Sequence, residues 1–211
     1  IMSDKKFISY VPSTTIIPEF TWKSILLGTI FGILFGAATV YLALKAGLTV
    51  SASIPIAVLA ISIGRKLFKT TILENNIIQT TGSAGEAIAG GVAFTLPAFL
   101  FLSAAENGAT SSSDYFNYFT ILTLSMVGGI LGTLLMIPLR RPLIVEEHDK
   151  LPYPEGTACA SVLIAGEKGG DFAKTAYLGL LASTVYALLQ KVVHLIAETP
   201  GYVTDAKNKY F

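Results

Sequence analysis

Two carboxylates stand in a stretch of the chain, from Glu74 to Leu102, that is long and apolar enough to cross a membrane. Six of its residues recur at steps of three and four, so on a helix they share one narrow sector. They are Asn75, Gln79, Gly82, Ser83, Glu86 and Gly90. A charged side chain at the centre of a membrane costs about 2.5–3.5 kcal/mol or far more, depending on the method, and is a functional-site hypothesis by default. The alternative is that Glu74 and Glu86 lie near the two ends of a shorter span, or pair with a basic neighbour.

The chemistry that this sector offers is proton exchange. A single carboxylate beside amides and hydroxyls takes up or releases a proton when water reaches it. No constellation for catalysis accompanies it: the sequence lacks His-Glu-x-x-His and Gly-x-Ser-x-Gly motifs, and Ser83 has no histidine within its span. We therefore expect neither an enzyme nor a cofactor, and no catalytic residue.

A metal site is not expected either. The run from Glu146 to Asp149 combines carboxylates with the imidazole of His148, and both groups are competent metal ligands. Consecutive residues do not converge well on one ion, however. A solvated cytoplasmic charge cluster is the favoured interpretation.

The composition places the chain among membrane proteins. Of its 211 residues, 52% are hydrophobic and 14% are charged, and the mean hydropathy is +0.62, values outside the range of soluble globular proteins. A net charge of +1 without a basic stripe argues against binding to nucleic acid. One cysteine, Cys159, excludes an internal disulfide. The first span is followed by no cleavage site and is predicted to be a retained helix.

Intervals with few or no charged residues define about five membrane spans, because a helix needs about twenty apolar residues to cross roughly 30 Å. The predicted spans cover residues 24–44, 48–64, 74–103, 116–139 and 174–197. The third is expected to kink or break near Gly90, Gly91 and Pro97. The predicted fold is an all-α integral membrane protein, a multi-spanning helical bundle that forms a single transmembrane domain over residues 1–211.

A short helix is predicted between the fourth and fifth spans. Pro154 suits the first position of a helix, Glu155 complements the helix dipole in the first turn, and Gly166 is expected to end the helix. The apolar run 157–165 is too short to span a membrane. This helix is therefore predicted to be a cytoplasmic, interfacial or re-entrant element.

The distribution of lysine and arginine predicts the orientation of the spans. Basic residues precede the first span, follow the second and recur through 140–174, whereas 103–116 contains neither lysine nor arginine. These regions alternate as expected for a multi-pass protein of the cell membrane with a cytoplasmic N-terminus and with 103–116 outside. Lys45, in the predicted external turn, is the one exception.

Small and hydroxyl residues predict how the spans pack. Gly28, Gly32 and Gly36 form a ridge on the first span, and Gly128 and Gly132 repeat the spacing on the fourth. Such ridges let helix backbones approach closely and are usually packing seams. Four hydroxyl residues of the second span are expected to bond backbone carbonyls near its proline, unless they face the carboxylate sector. They are Thr49, Ser51, Ser53 and Ser62.

Four segments of the chain occur in an order that matches one family of transporters. They are LALKAGLTVSASIP at 42–55, ENNIIQTTGSAGE at 74–86, LRRPLIVEEH at 139–148 and LPYPEGTA at 151–158. They resemble the prokaryotic branch of the oligopeptide transporter (OPT) superfamily, which also includes the yellow-stripe-like metal-chelate transporters. The resemblance is strong from Pro12 to Gly166 and weak beyond. Family members are much longer, so it implies that this chain is an N-terminal portion of such a transporter.

The resemblance implies a secondary active transporter that couples the uptake of oligopeptides or peptide-like substrates to protons. The alternatives are a metal-chelate, siderophore-like symporter of the same superfamily, a passive channel or an accessory membrane subunit. The expected partners are the peptide-like substrate, protons and membrane lipid. Nucleic acid is not expected, and a homo-oligomer is left open.

The candidate residues for substrate binding or proton coupling are Glu86, Gln79, Asn75, Ser83 and Glu155. The two amides and the serine offer both donors and acceptors, which suits a zwitterionic substrate with peptide groups. Glu155, at the start of the short helix, is the next coupling candidate after Glu86. Four glycines between 82 and 91 would let a substrate or an unwound backbone come close, as in transporters with broken helices.

Overall fold

The computed structural model describes residues 9–12, 14–105, 117–147, 150–168 and 171–191. These residues form helices and connecting segments, with no strand among them, so the all-α prediction is confirmed for the described part of the chain. The α-helices are α1 (Trp22–Ala46), α2 (Ser53–Leu59), α3 (Lys66–Phe68), α4 (Ile72–Ala105), α5 (Tyr118–Arg140), α6 (Pro154–Lys168) and α7 (Asp171–Lys191). A π-helical segment, Ala60–Arg65, joins α2 to α3, and a second one, Arg141–Glu146, continues α5.

Two of these helices are long and apolar enough, by length and composition, to cross a membrane. They are Trp22–Ala46, with a mean hydropathy of 2.1, and Tyr118–Glu146, with a mean hydropathy of 2.0. Their large apolar side chains point outward: Ile33 is 71% exposed and Leu135 is 59% exposed. Outward apolar surface of this extent fits a helical membrane protein.

The other three predicted spans fall on shorter or more polar helices. Residues 48–52 are not helical, and the helix of the predicted second span begins only at Ser53. The third span falls on α4, and the fifth on α7 and on residues beyond Lys191, which lie outside the described part of the chain. A count of five spans remains a prediction.

Helix α4 is continuous, and the break expected near Gly90 and Gly91 is absent. The helix runs from Ile72 to Ala105 with Pro97 inside it. An internal proline removes only one backbone donor, and a long helix can absorb that loss without a break. A kink of the helix near Pro97 remains a prediction.

Helices α1 and α4 pack along a seam of small residues. A Cβ atom added to Gly28 would lie 2.7 Å from Thr81 Cβ, and one added to Gly85 would lie 2.8 Å from Gly32 Cα. Both distances are too short for real Cβ contacts, so the seam requires glycine at these positions. The ridge predicted on the first span is therefore confirmed as a packing surface. Because residue numbers rise together along the seam, α1 and α4 run parallel.

The ridge predicted on α5 makes no such contact in the described part of the chain. A Cβ atom added to Gly128 or Gly132 would meet nothing within 4 Å. The neighbouring Gly129 instead lies against Ile88 of α4, with 3.1 Å from an added Cβ to Ile88 Cδ1. Glycine spacing identified the helix but not the side of it that faces α4.

Glu74 holds the N-terminal ends of α1 and α4 together. The Thr71 N–H donates to Glu74 Oε2 (2.9 Å) and the Glu74 N–H donates to Thr71 Oγ1 (3.2 Å), which forms a capping box at the start of α4. The other oxygen, Glu74 Oε1, accepts a hydrogen bond from the hydroxyl of Thr21 (2.5 Å), the N-cap of α1. Glu74 is thus a capping residue at a helix end, as the alternative interpretation proposed for it.

Helices α2 and α6 pack on the side of α4 that carries its polar sector. Ala57 and Ile61 form an apolar cluster with Leu163 of α6. Helix α6 begins at Pro154 as predicted, but it continues past Gly166 to Lys168. An added Cβ at Gly166 would collide with Ile61, so this glycine makes room for a neighbour and does not end the helix.

The C-terminal end of α6 is bound by a side chain from the segment after α2. The Arg65 guanidinium donates from Nη1 to the carbonyl oxygens of Gly166 (2.5 Å) and Glu167 (2.8 Å). A cation at these free carbonyls also interacts favourably with the negative end of the helix dipole. Arg65 therefore fixes α6 to the α2–α3 segment.

Chain contacts divide the molecule into two compact units, 1–168 and 169–211. In the second unit the structure describes α7, a helix of 21 residues with an apolar stretch from Leu181 to Gln190. All of the site residues discussed below belong to the first unit.

Candidate functional site

The polar sector of α4 is its buried face. Asn75, Gln79 and Glu86 are only 5%, 7% and 8% exposed, whereas the apolar Ile88 on another side of the helix is 40% exposed. This distribution is the inverse of that on a helix of a water-soluble protein. The shared face that was predicted from steps of three and four is confirmed.

Glu86 is held by a hydroxyl of α1. The Thr39 Oγ1 hydroxyl donates to Glu86 Oε1 over 3.3 Å, which is long for a hydrogen bond between two oxygens. Among the described residues, the ion pairs are Arg141–Glu146 and Lys150–Glu147, and no basic side chain pairs with Glu86. The alternative that a basic neighbour neutralises Glu86 therefore finds no support in the described part of the chain.

Glu86 lines an open cavity of about 490 Å³ between α4, the start of α2 and the start of α6. Three of the five predicted candidates meet there, namely Glu86, Ser83 and Glu155. The full lining is Thr49, Ser51, Ser53, Ser83, Glu86, Ala87, Gly90, Gly91, Phe94 and Glu155. The cavity thus combines two carboxylates, four hydroxyls and a short apolar wall.

Hydroxyl residues at the start of α2 form a hydrogen-bonded row along this cavity. Ser51 Oγ donates to Ser53 Oγ (3.2 Å), and Ser53 Oγ lies 2.6 Å from Ser83 Oγ on α4. The sequence predicted a structural role for these serines unless they faced the carboxylate sector. They do face it, so they belong to the candidate site. Ser62, by contrast, donates to the backbone carbonyl of Val58 (2.5 Å), the structural role expected for it.

Two predicted candidates lie outside the cavity lining, nearer the start of α4. The Gln79 amide donates to Cys159 Sγ of α6 (3.6 Å), and the Asn75 amide oxygen accepts from the hydroxyl of Thr70 (2.6 Å). Burial raises the pKa of the Cys159 thiol, and the charge of Glu155 raises it further. Gln79 therefore bonds α4 to α6, and Asn75 bonds the turn just before α4. The polar groups that line the cavity gather around Glu86.

The glycines of α4 divide into two groups. An added Cβ at Gly82 would lie 3.0 Å from Ile56 Cγ2, and Gly85 lies against α1, so both serve helix packing. Gly90 and Gly91 line the cavity, and an added Cβ at Gly91 would meet nothing within 4 Å. An added Cβ at Gly90 would be in ordinary contact with Thr49 and Thr39, so of the four glycines only Gly91 leaves open space beside the backbone.

No metal centre is apparent in the residues that the structure describes. None of their His, Cys, Asp and Glu side chains form a group of three or more that could hold a metal ion. Glu146 pairs with Arg141 (3.1 Å) and Glu147 with Lys150 (2.9 Å), so this run is a solvated charge cluster. The rest of the run, residues 148 and 149, lies outside the described residues.

Comparisons with known proteins identify similar sequences. Residues 19–211 match the model of a family described as OPT oligopeptide transporter protein. A Haemophilus influenzae protein named "Putative oligopeptide transporter" is 36% identical over 161 residues, which cover 75% of this chain and 24% of that protein. The chain thus spans about a quarter of the length of the curated relative that it matches. No solved structure matches the chain.

Proposed function

Because the chain belongs to the OPT oligopeptide transporter family, we propose that it acts within a secondary active transporter that couples the uptake of oligopeptides or peptide-like substrates to protons. One observation carries the proposal. Glu86, a buried carboxylate on the inner face of α4, lines an open cavity that is otherwise rich in hydroxyl groups.

The position of Glu86 provides a physical basis for coupling. While the cavity is open, water stabilises the charged carboxylate. When the cavity closes, an unpaired charge would be buried at a cost of several kcal/mol, unless a proton or a cationic group enters with it. The cavity therefore closes more readily when a proton or a cationic group is bound at Glu86 than when the site is empty. A symporter requires this preference, because it must not close and reopen on the other side without its coupled ion.

Uptake by the full-length transporter in proteoliposomes tests this function. We expect labelled short peptides to accumulate when the external side is more acidic, and to equilibrate without accumulation when the pH gradient is absent. Uptake of a metal chelate but not of peptides would identify the chelate symporter of the same superfamily. Peptide flux that never exceeds equilibrium under either condition would indicate a passive channel.

The proposed topology has about five spans, a cytoplasmic N-terminus, and α6 as a cytoplasmic or re-entrant helix. The parallel arrangement of α1 and α4 supports this topology, because a first and a third span cross the membrane in the same direction. The basic segments before α1 and after α2 then lie on the cytoplasmic side.

Thiol labelling in intact cells tests the orientation. In a full-length background without reactive cysteines, a cysteine at Ser112 should be labelled by an impermeant reagent, and one at Lys150 should be labelled only after permeabilisation. Lys150 is a suitable position because its side chain is 58% exposed. Labelling at Lys150 but not at Ser112 in intact cells would reverse the proposed orientation.

A further inference from the structure

The cavity beside Glu86 offers a ligand negative charge and hydrogen-bond acceptors. Two of its lining residues are glutamates, and among the described residues that line it none is basic. A carboxylate accepts hydrogen bonds only, and a serine hydroxyl can turn to accept one. The lining is therefore complementary to a group that carries positive charge and several donors.

We propose that this cavity binds the protonated amino terminus of the peptide substrate, with Glu86 and Glu155 supplying the counter-charge. The inference rests on the proposed function, since it assigns one end of the proposed substrate to this site. An ammonium group has three donors and no acceptor. Hydrogen bonds between charged partners are about twice as strong as those between neutral groups, so two glutamates suit this ligand.

The carboxyl terminus of a peptide is not suited to the same place. A carboxylate there would face two groups of like charge, and like-charge contacts cost several kcal/mol. The start of α6 at Pro154 would by itself favour an anion through its helix dipole. Glu155 in its first turn opposes that effect with a full negative charge.

An inorganic cation fits the cavity less well than an ammonium group. A hard metal ion needs oxygen ligands that converge within about 2.3–2.6 Å of one point. Here Ser53 and Ser83 are bonded to each other (2.6 Å), and Glu86 accepts a hydrogen bond from Thr39. The volume of about 490 Å³ suits an organic molecule.

The apolar part of the lining supports a peptide in particular. Ala87 and Phe94 stand in the same wall as the glutamates, and Phe94 is 49% exposed. Gly91 leaves open space beside the backbone of α4 in the same wall. The first side chain of a peptide can lie on this surface while its ammonium group reaches the carboxylates.

Three peptides that differ only at their ends test the inference on the purified full-length transporter. They are trialanine, N-acetyl-trialanine and trialanine amide, and their binding is measured by calorimetry. Acetylation removes the ammonium charge and should weaken binding by a factor of about 10 to 100. Amidation of the carboxyl terminus should change the dissociation constant by less than about threefold. This comparison needs no substitution, so it does not depend on a variant that folds.

Variants then test the assignment to Glu155, which lies at the exposed start of α6. The discrimination is the dissociation constant of N-acetyl-trialanine divided by that of trialanine. Glu155→Gln should reduce this ratio at least about fivefold. Glu147→Gln, which removes a glutamate paired with Lys150 outside the cavity, should leave it unchanged. Discrimination that survives Glu155→Gln in full would overturn the role of Glu155.

Three results decide the remaining possibilities. Equal binding of trialanine and its acetylated form overturns the inference, and so does the absence of binding by any free-amine peptide. Binding that depends on the free amine, in a protein that never accumulates peptide in proteoliposomes, supports the inference and counts against the proposed transport function alone.

Discussion

Replacing Glu86 by glutamine in the full-length transporter is expected to abolish proton-driven accumulation of substrate. The amide keeps the size of the side chain and an oxygen that can accept from Thr39, but it carries no exchangeable charge. A pH difference of one unit is worth about 1.4 kcal/mol, or about tenfold accumulation for each proton that moves with one substrate. In the variant, the ratio of internal to external substrate should fall to about one at every imposed pH difference.

Glu74→Gln is the matched control, because it makes the same change in the same helix. Glu74 completes the capping box of α4, accepts a hydrogen bond from Thr21, the N-cap of α1, and lies outside the cavity lining. The amide oxygen of glutamine can keep one of the two hydrogen bonds of Glu74, so accumulation should stay close to that of the unmodified protein.

Glu86→Ala should reduce transport and stability more than Glu86→Gln, since it also leaves the buried Thr39 hydroxyl without its acceptor. Full accumulation with unchanged pH dependence in Glu86→Gln would show that Glu86 is structural and make Glu155 the next coupling candidate.

The second large effect is expected at the seam between α1 and α4. Gly85→Ala adds a methyl group at a point 2.8 Å from Gly32 Cα, where backbone and not a flexible side chain must move. Overpacking of this kind costs about 1–3 kcal/mol. The thermal unfolding midpoint and the monodisperse yield of the full-length protein in detergent should both fall.

Gly91→Ala controls for helix propensity, because it is the same substitution in the same helix. An added Cβ at Gly91 meets nothing within 4 Å, so alanine should be neutral or stabilise the helix by about 0.4–1 kcal/mol. On α1, Gly32→Leu should be harmful and Ile33→Leu harmless, since Ile33 is 71% exposed. Equal stability of Gly85→Ala and Gly91→Ala would contradict a tight seam.

Helical periodicity predicted much of this arrangement, because it depends only on spacing along one helix. The steps of three and four correctly placed Asn75, Gln79 and Glu86 on one buried face of α4. The same reasoning placed the glycine ridge of α1 in a contact. Spacing does not show which neighbouring helix a residue meets at its height along the helix axis. Gln79 and Asn75 were therefore grouped with Ser83 and Glu86, although they do not line the cavity.

The contributions of other elements to the site could be predicted only in part. Ser51 and Ser53 reach the cavity because residues 48–52 are not helical, and Gly47 adopts the left-handed conformation (φ 69°) just before them. This non-helical segment was not predicted, because residues 48–64 were interpreted as one continuous span. The contact of Thr39 with Glu86 could not be predicted from the sequence, because a single threonine in an apolar helix more often bonds the backbone of its own helix. The capping sequence from Thr71 to Glu74 was readable, but only Glu74 was considered, as the first residue of the predicted span 74–103.

The position of Glu74, which caps α4 and also accepts a hydrogen bond from the N-cap residue of α1, has a consequence for how a transport cycle could operate. Together with the glycine seam, Glu74 joins α1 and α4 at their starts and along their length. Arg65 and the apolar cluster around Leu163 tie α6 to α2 in a similar way. The cavity lies between these two pairs. A shear of one pair past the other, with each pair kept intact, would change its width and the access of water to Glu86.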